Sequence, residues 1–123
     1  MAKLTLDQLP EILEQYGEEI RREVEDETKK VSDEAVKRLR KASPRGKGRK
    51  SGTYAKGWAV RQEEPGKFVI YGKHGTYQLA HLLEFGHAKR NGGRTSAIVH
   101  IKPVEDWASE EFLQRVERAI EKA

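Results

Sequence analysis

The sequence predicts an α+β fold: a small, mainly antiparallel sheet packed by a long N-terminal helix, a short middle helix and a C-terminal helix. Two observations predict it. Apolar residues recur every three or four positions at both ends of the chain, the spacing of one helix face. Between them, alternating apolar runs flank a Glu-Pro-Gly turn, as in a β-hairpin. The 123 residues suit a single domain, 1–123.

The first helix is expected over 6–42. Pro10 falls in its first turn, where a missing N–H costs little. Leu9, Ile12, Leu13, Tyr16, Ile20, Val24, Val31, Ala35, Val36 and Leu39 form the stripe. From Leu9 to Lys41 such a helix runs about 50 Å, more than a domain of this size covers. Part of it is therefore expected to pack on a partner. The stripe thins between Val24 and Val31, which predicts a bend or a projecting stretch.

A basic, flexible loop is expected at 43–52, where Pro44 and three glycines interrupt regular structure. The hairpin is placed at 53–72, with Tyr54, Trp58 and Val60 on one face of its first strand. A short helix follows at 76–86. Thr76 can cap it, Gly86 can end it, and Leu79, Leu82, Leu83 and Phe85 are assigned to its buried side. A second basic loop, 87–96, leads to a third strand at 97–102 and a last helix at 103–122. Pro103 opens that helix, with Glu105 and Asp106 near its positive end.

Composition excludes several kinds of chemistry. There is no cysteine, hence no disulfide, thiolate zinc site or thiol nucleophile. No apolar run approaches the ~20 residues needed to span a bilayer. The N-terminus lacks the layout of a secretion signal, so the chain is expected to be made in the cytoplasm. Net charge is +4, unevenly spread. Acidic residues dominate 1–36 and basic residues dominate 37–102. Such a split suits contact with other charged surfaces, head-to-tail between copies or with nucleic acid.

The heptapeptide "HLLEFGH" places His81, Glu84 and His87 at equal spacing. Zincin chemistry needs His-Glu-x-x-His, with both ligands one turn apart. Here successive side chains drift by about 60° and His87 lies beyond Gly86. The expectation is local hydrogen bonding and no metal. No serine sits in a G-x-S-x-G elbow, and "SPRGKGRKSG" does not fit the phosphate-loop pattern. No catalytic residue and no cofactor is assigned. The loop cations Arg45, Lys47, Arg49, Lys50, Lys89, Arg90 and Arg94, with His87, are the candidate contacts for subunit assembly or an anionic partner.

Three stretches in order, "KSGTYAKGWAV", "YQLAHLLEFGHAKRNGGR" and "HIKPVEDWASEEF", resemble the minor tail-component family of tailed phages and prophages, the gp-ten-like or head–tail joining proteins. The residues carrying the resemblance include Tyr77, Leu82, Leu83, Glu84, Phe85, Gly86, His100 and Pro103. The resemblance implies a non-enzymatic virion protein of the neck, made in the host cytoplasm. It implies ring-forming α+β subunits that meet a connector, tail tube or terminator. DNA in the channel and acidic patches on neighbouring subunits are both open as partners of the basic loops. Many relatives carry a proline before the histidine, where this chain reads "AIVH". The alternative reading is a small basic nucleic-acid-binding module, a toxin-like ribonuclease, using the basic middle and stacking on Tyr54, Trp58 and Tyr71.

Overall fold

The computed structural model describes residues 14–45, 52–64, 67–73 and 76–122, the side chains of Glu64, Tyr77 and Gln78 excepted. Helix α1 spans Glu18–Ala42. A turn at 15–17 precedes it, so the long helix expected over 6–42 is interrupted; residues 6–13 lie outside the described residues. Gly17 is extended and starts the helix, and Glu18 and Glu19 stand at its positive end. Arg40 and Lys41 sit in the last turn, where cations suit the dipole. The helix stops at Ser43, held extended before Pro44 as steric clash with a proline ring requires.

Helix α2 is one short turn, Thr53–Lys56. Strands β1 (Trp58–Glu64) and β2 (Lys67–Gly72) form a two-stranded antiparallel sheet. Trp58 pairs with Gly72 and Val60 with Ile70, and the register shifts between Gln62 and Glu64. Helix α3 is Tyr77–Phe85, and α4 is Ile101–Glu121. The hairpin thus begins at Trp58 rather than at 53. Gly52, at φ +81°, starts a helical turn there and places Tyr54 on α2.

The third strand does not form. Residues 97–100 have no strand partner, and Ile101 and Lys102 belong to α4. The physical reason is a contact from α3. The Glu84 carboxylate takes the N–H groups of His100, Ile101 and Lys102, which a sheet would have needed.

Two groups of buried side chains hold the fold. Ala35, Val36 and Leu39 of α1 meet Tyr54, Trp58, Ala80 and Val104. Farther toward the start of α1, Val24 and Val31 meet Phe112, Val116 and Ala119 of α4. Helix α4 therefore covers α1 from within the chain, which the expectation of an outside partner for its excess length did not foresee. Near the thin part of the stripe, Glu27 bonds Arg115 at 3.0 Å, and Arg115 also holds Glu111 at 2.9 Å. A polar bridge between helices thus stands where the apolar stripe is sparse.

Helix α3 turns differently from the expectation. Ala80 and Glu84 are buried and Leu83 is half-buried, whereas Leu79, Leu82 and Phe85 are exposed. A helix of nine residues can press only one narrow face against the body. The buried face is the one that carries Glu84, whose carboxylate has partners waiting.

Candidate functional site

A buried polar cluster lies where α1, α2, α3 and α4 converge. Glu84 is only 6% exposed. One carboxylate oxygen accepts from the N–H groups of His100 (2.8 Å) and Ile101 (2.9 Å), and the other accepts from Lys102 (2.9 Å). Those are the donors that the start of a helix leaves without an intrahelical partner. The next residue, Pro103, has no N–H to satisfy. Glutamate from a distant helix therefore completes the N-terminus of α4, and its charge faces the positive end of the helix dipole.

His100 extends the cluster inward. Its Nδ1 lies 2.6 Å from the Ile98 carbonyl oxygen and 3.1 Å from Glu84. Both are acceptors, so Nδ1 carries a proton, and Nε2 lies 2.7 Å from the Tyr54 hydroxyl. Burial, with the nearby Glu84 charge, pushes the Tyr54 phenol up to about 12, so it stays a donor. The Tyr54 ring meets Trp58 edge-on at 5.7 Å. The Trp58 indole donates to the Ser43 hydroxyl at 2.8 Å, and Ser43 donates to the Leu39 carbonyl. Arg40 donates twice to the Trp58 carbonyl. One chain of contacts thus joins the end of α1, helix α2, the first strand, α3 and the start of α4.

Glu84, His100 and Tyr54 in a row have the outline of a proton relay. Their placement argues for a different use. All three are buried, and each polar atom is already engaged within the fold. Tyr54→Phe tests the joint. It leaves Nε2 of His100 without its hydrogen-bond partner and is expected to lower unfolding free energy by about 1–2 kcal/mol. Urea unfolding followed by circular dichroism reads the change; an unaltered midpoint would dissociate the hydroxyl from stability.

The His81–Glu84–His87 constellation is not assembled. Glu84 points into the joint, His87 bonds Thr95, and exposed His81 packs on Phe85 with ring centroids 4.9 Å apart. Among the described residues no group of three or more His, Asp or Glu is placed to hold a metal ion.

The other residues singled out from the sequence separate into two sets. Gly86 is buried and Leu83 half-buried, while Leu82, Phe85 and Pro103 are exposed; the Tyr77 side chain lies outside the described residues. Lys47, Arg49 and Lys50 also lie outside them, and Arg45 is exposed at the edge of their loop. The loop's ends are held together by the Gly52 N–H, which donates to the Arg45 carbonyl at 2.8 Å.

His87, Lys89, Arg90 and Arg94 are exposed on the second basic loop. That loop is ordered by its own backbone. Ala88 pairs with Arg94, Lys89 N–H donates to the Gly93 carbonyl, and Thr95 N–H donates to the His87 carbonyl. Of the three aromatic rings proposed to stack on bases, Tyr54 and Trp58 are buried and Tyr71 is half-buried, with Arg61 over its ring. Among the described residues, no helix is long and apolar enough to cross a membrane.

Tyr54, Trp58 and Ser43 were not foreseen as parts of the joint. Nor was the capping role of Glu84, although a signal existed. Glu84 is the sole carboxylate between Glu64 and Glu105, and it precedes a segment that ends in the helix-opening Pro103.

The polar atoms of the cluster are engaged in joining elements of the fold, and α3 leaves Leu79, Leu82 and Phe85 exposed. Residues 7–86 match the family described as "Bacteriophage HK97-gp10, putative tail-component", and the chain belongs to that family. It is thus a phage tail-component protein, which agrees with the resemblance carried by Glu84, Gly86 and their neighbours. Comparison with curated proteins and with solved structures gave no match.

Proposed function

We propose that this protein acts at the head–tail connection of a phage or prophage virion, in tail completion or head–tail joining. It works by subunit–subunit assembly, as a homo-oligomeric ring that meets connector, tail-tube or terminator proteins. The observation that carries the reading is the tail-component family match over residues 7–86. Two structural features support it. The buried joint commits its polar atoms to the fold, and the exposed apolar residues of α3 offer a surface for another protein. The cations Lys89, Arg90 and Arg94, with His87, lie on the loop that leaves that surface and are its contacts for acidic neighbours or channel DNA.

Deleting the gene and imaging the resulting particles tests the proposal. The expected outcome is filled heads with separate, unjoined tails, or tails of aberrant form. Normal infectious particles would remove the role.

A further inference from the structure

The structure places two complementary surfaces at opposite ends of the protein. At one end, Leu79, Leu82 and Phe85 of α3 are exposed beside Ile98 and Val99. The Ile98 N–H donates to the Leu83 carbonyl at 2.7 Å, which lays this segment along the end of α3. Phe85 is 64% exposed and Val99 59%. The loop bearing Lys89, Arg90 and Arg94 continues from the same helix end and contains no acidic residue.

At the other end, the first turns of α1 form an open hollow lined by Glu18, Glu19, Arg22, Glu23 and Asp26. Glu18 pairs with Arg22, and Glu23 lies 3.9 Å from Lys122. Among the described residues, Glu19 and Asp26 have no ion-pair partner, and neither do Lys89 and Arg90. Tyr16 and Ile20 lie half-buried near the same end.

The ends cannot neutralise each other within one copy. Val24 and Val31 of α1 pack on Phe112 and Val116, late in α4, whereas Leu39 belongs to the cluster containing Val104, at its start. Helix α3 caps that start through Glu84. The length of α1, roughly 36 Å at 1.5 Å per residue, therefore separates the acidic end from the basic one.

We infer that the apolar, basic-rimmed face of α3 receives the acidic start of α1 from a second copy of this chain. Different surfaces then meet head-to-tail. Such a contact propagates, closing into a ring where the rotation permits. The inference rests on the assembly reading above but is tested apart from it. Apolar burial at Phe85 and its neighbours supplies affinity, and the charges set register and partner choice.

Two charge-reversed proteins test it. K89E/R90E makes the α3 end acidic, and E19K/D26K makes the α1 end basic. Sedimentation of the full chain across a concentration series measures association. The wild type is expected to self-associate, less strongly as salt rises. Each variant alone is expected to associate at least about tenfold more weakly, with like charges now facing. An equimolar mixture restores association, because both kinds of contact between the two variants are then complementary. That rescue also excludes misfolding as the cause of the loss, and F85S is expected to weaken association without a charge change.

A wild type that stays monomeric throughout, variants that associate as the wild type does, or a mixture that fails to recover would overturn the inference. So would an outcome in which K89E/R90E loses affinity for duplex DNA while its self-association is unchanged. None of these results alters the particle phenotype of the gene deletion, which judges the tail role separately.

Discussion

Glu84→Ala is expected to lower unfolding free energy by about 3–4 kcal/mol, enough to bring a small domain close to unfolding. The variant removes no large apolar group. It removes the acceptor for three backbone N–H groups at the start of α4 and leaves them facing a buried space. Each lost charge-assisted bond costs about 1.5–3 kcal/mol before relaxation and water entry reduce the sum. Glu84→Gln is milder, because its carbonyl can still accept two of the three N–H groups. Its amide N–H₂ must face a donor, so a loss of about 1–3 kcal/mol is expected.

Acid should distinguish charge from shape at this residue. Burial alone would raise the Glu84 carboxyl, but the three backbone donors and His100 outweigh it and hold the group below its ordinary 4.5. A carboxyl depressed on folding contributes stability that is fully present above its unfolded value and is lost as pH falls through its folded value. The stability gap between wild type and Glu84→Gln should therefore be full at neutral pH and close below about pH 4.5. Urea unfolding of both proteins from neutral to acid pH measures it. A gap independent of pH would mean that the carboxylate's charge does not contribute. Some acid sensitivity persists in the variant. Burial acts to raise Glu27 as well, and Arg115 and Lys30 hold it low on balance.

The features that the sequence displays well are those decided locally. The apolar period of Val24, Val31, Ala35 and Leu39 survives in α1, and that of Val104, Phe112 and Val116 survives in α4. Phe68 to Tyr71 lie within β2 as expected, although all four are half-buried rather than alternating between faces. The misread segments are decided through space. Ala97, Ile98 and Val99 have the apolar, β-branched character of a strand, yet Glu84, sixteen residues before His100, diverts the chain into a helix. Tyr54 and Trp58 are four apart, a spacing that fits a helical face as well as alternate strand positions, and Gly52 at φ +81° decides for a helical turn.

Helix α3 was recognised, but its rotation was not. Leucines at 79, 82 and 83 point in several directions, and nothing local says which of them faces inward. Of the candidate site, Glu84, Gly86, His100 and Pro103 were legible as a group through the family resemblance. Their physical link, a carboxylate capping a distant helix, was not. The exposed Leu82 and Phe85 belong to the same stretch, and their outward placement changes their reading from anchors of the fold to candidates for contact.

Gly86→Ala is the second large effect, and it links the joint to the surface. Gly86 has φ +74° and ψ 172°, a conformation that is essentially glycine's alone. A Cβ there would also stand 2.5 Å from the Thr95 carbonyl oxygen, a backbone atom that cannot swing aside. Strain of about 1–3 kcal/mol adds to this collision, so a total loss of about 3–4 kcal/mol is expected. Gly92→Ala separates the two contributions: its φ is +97°, but its Cβ would meet nothing within 4 Å. It should cost only the conformational part, about 1–2 kcal/mol. Gly17→Ala, with an ordinary φ and open space, should stay within about 0.5 kcal/mol of wild type. The expected order of unfolding midpoints is therefore Gly17→Ala, then Gly92→Ala, then Gly86→Ala, from most to least stable. Equal losses at Gly86 and Gly92 would remove the close approach from the explanation. Because Gly86 joins α3 to the loop carrying Lys89 and Arg90, its variant should also weaken self-association under conditions where it remains folded. Gly17→Ala, which leaves both ends of the proposed contact with their charges, should not.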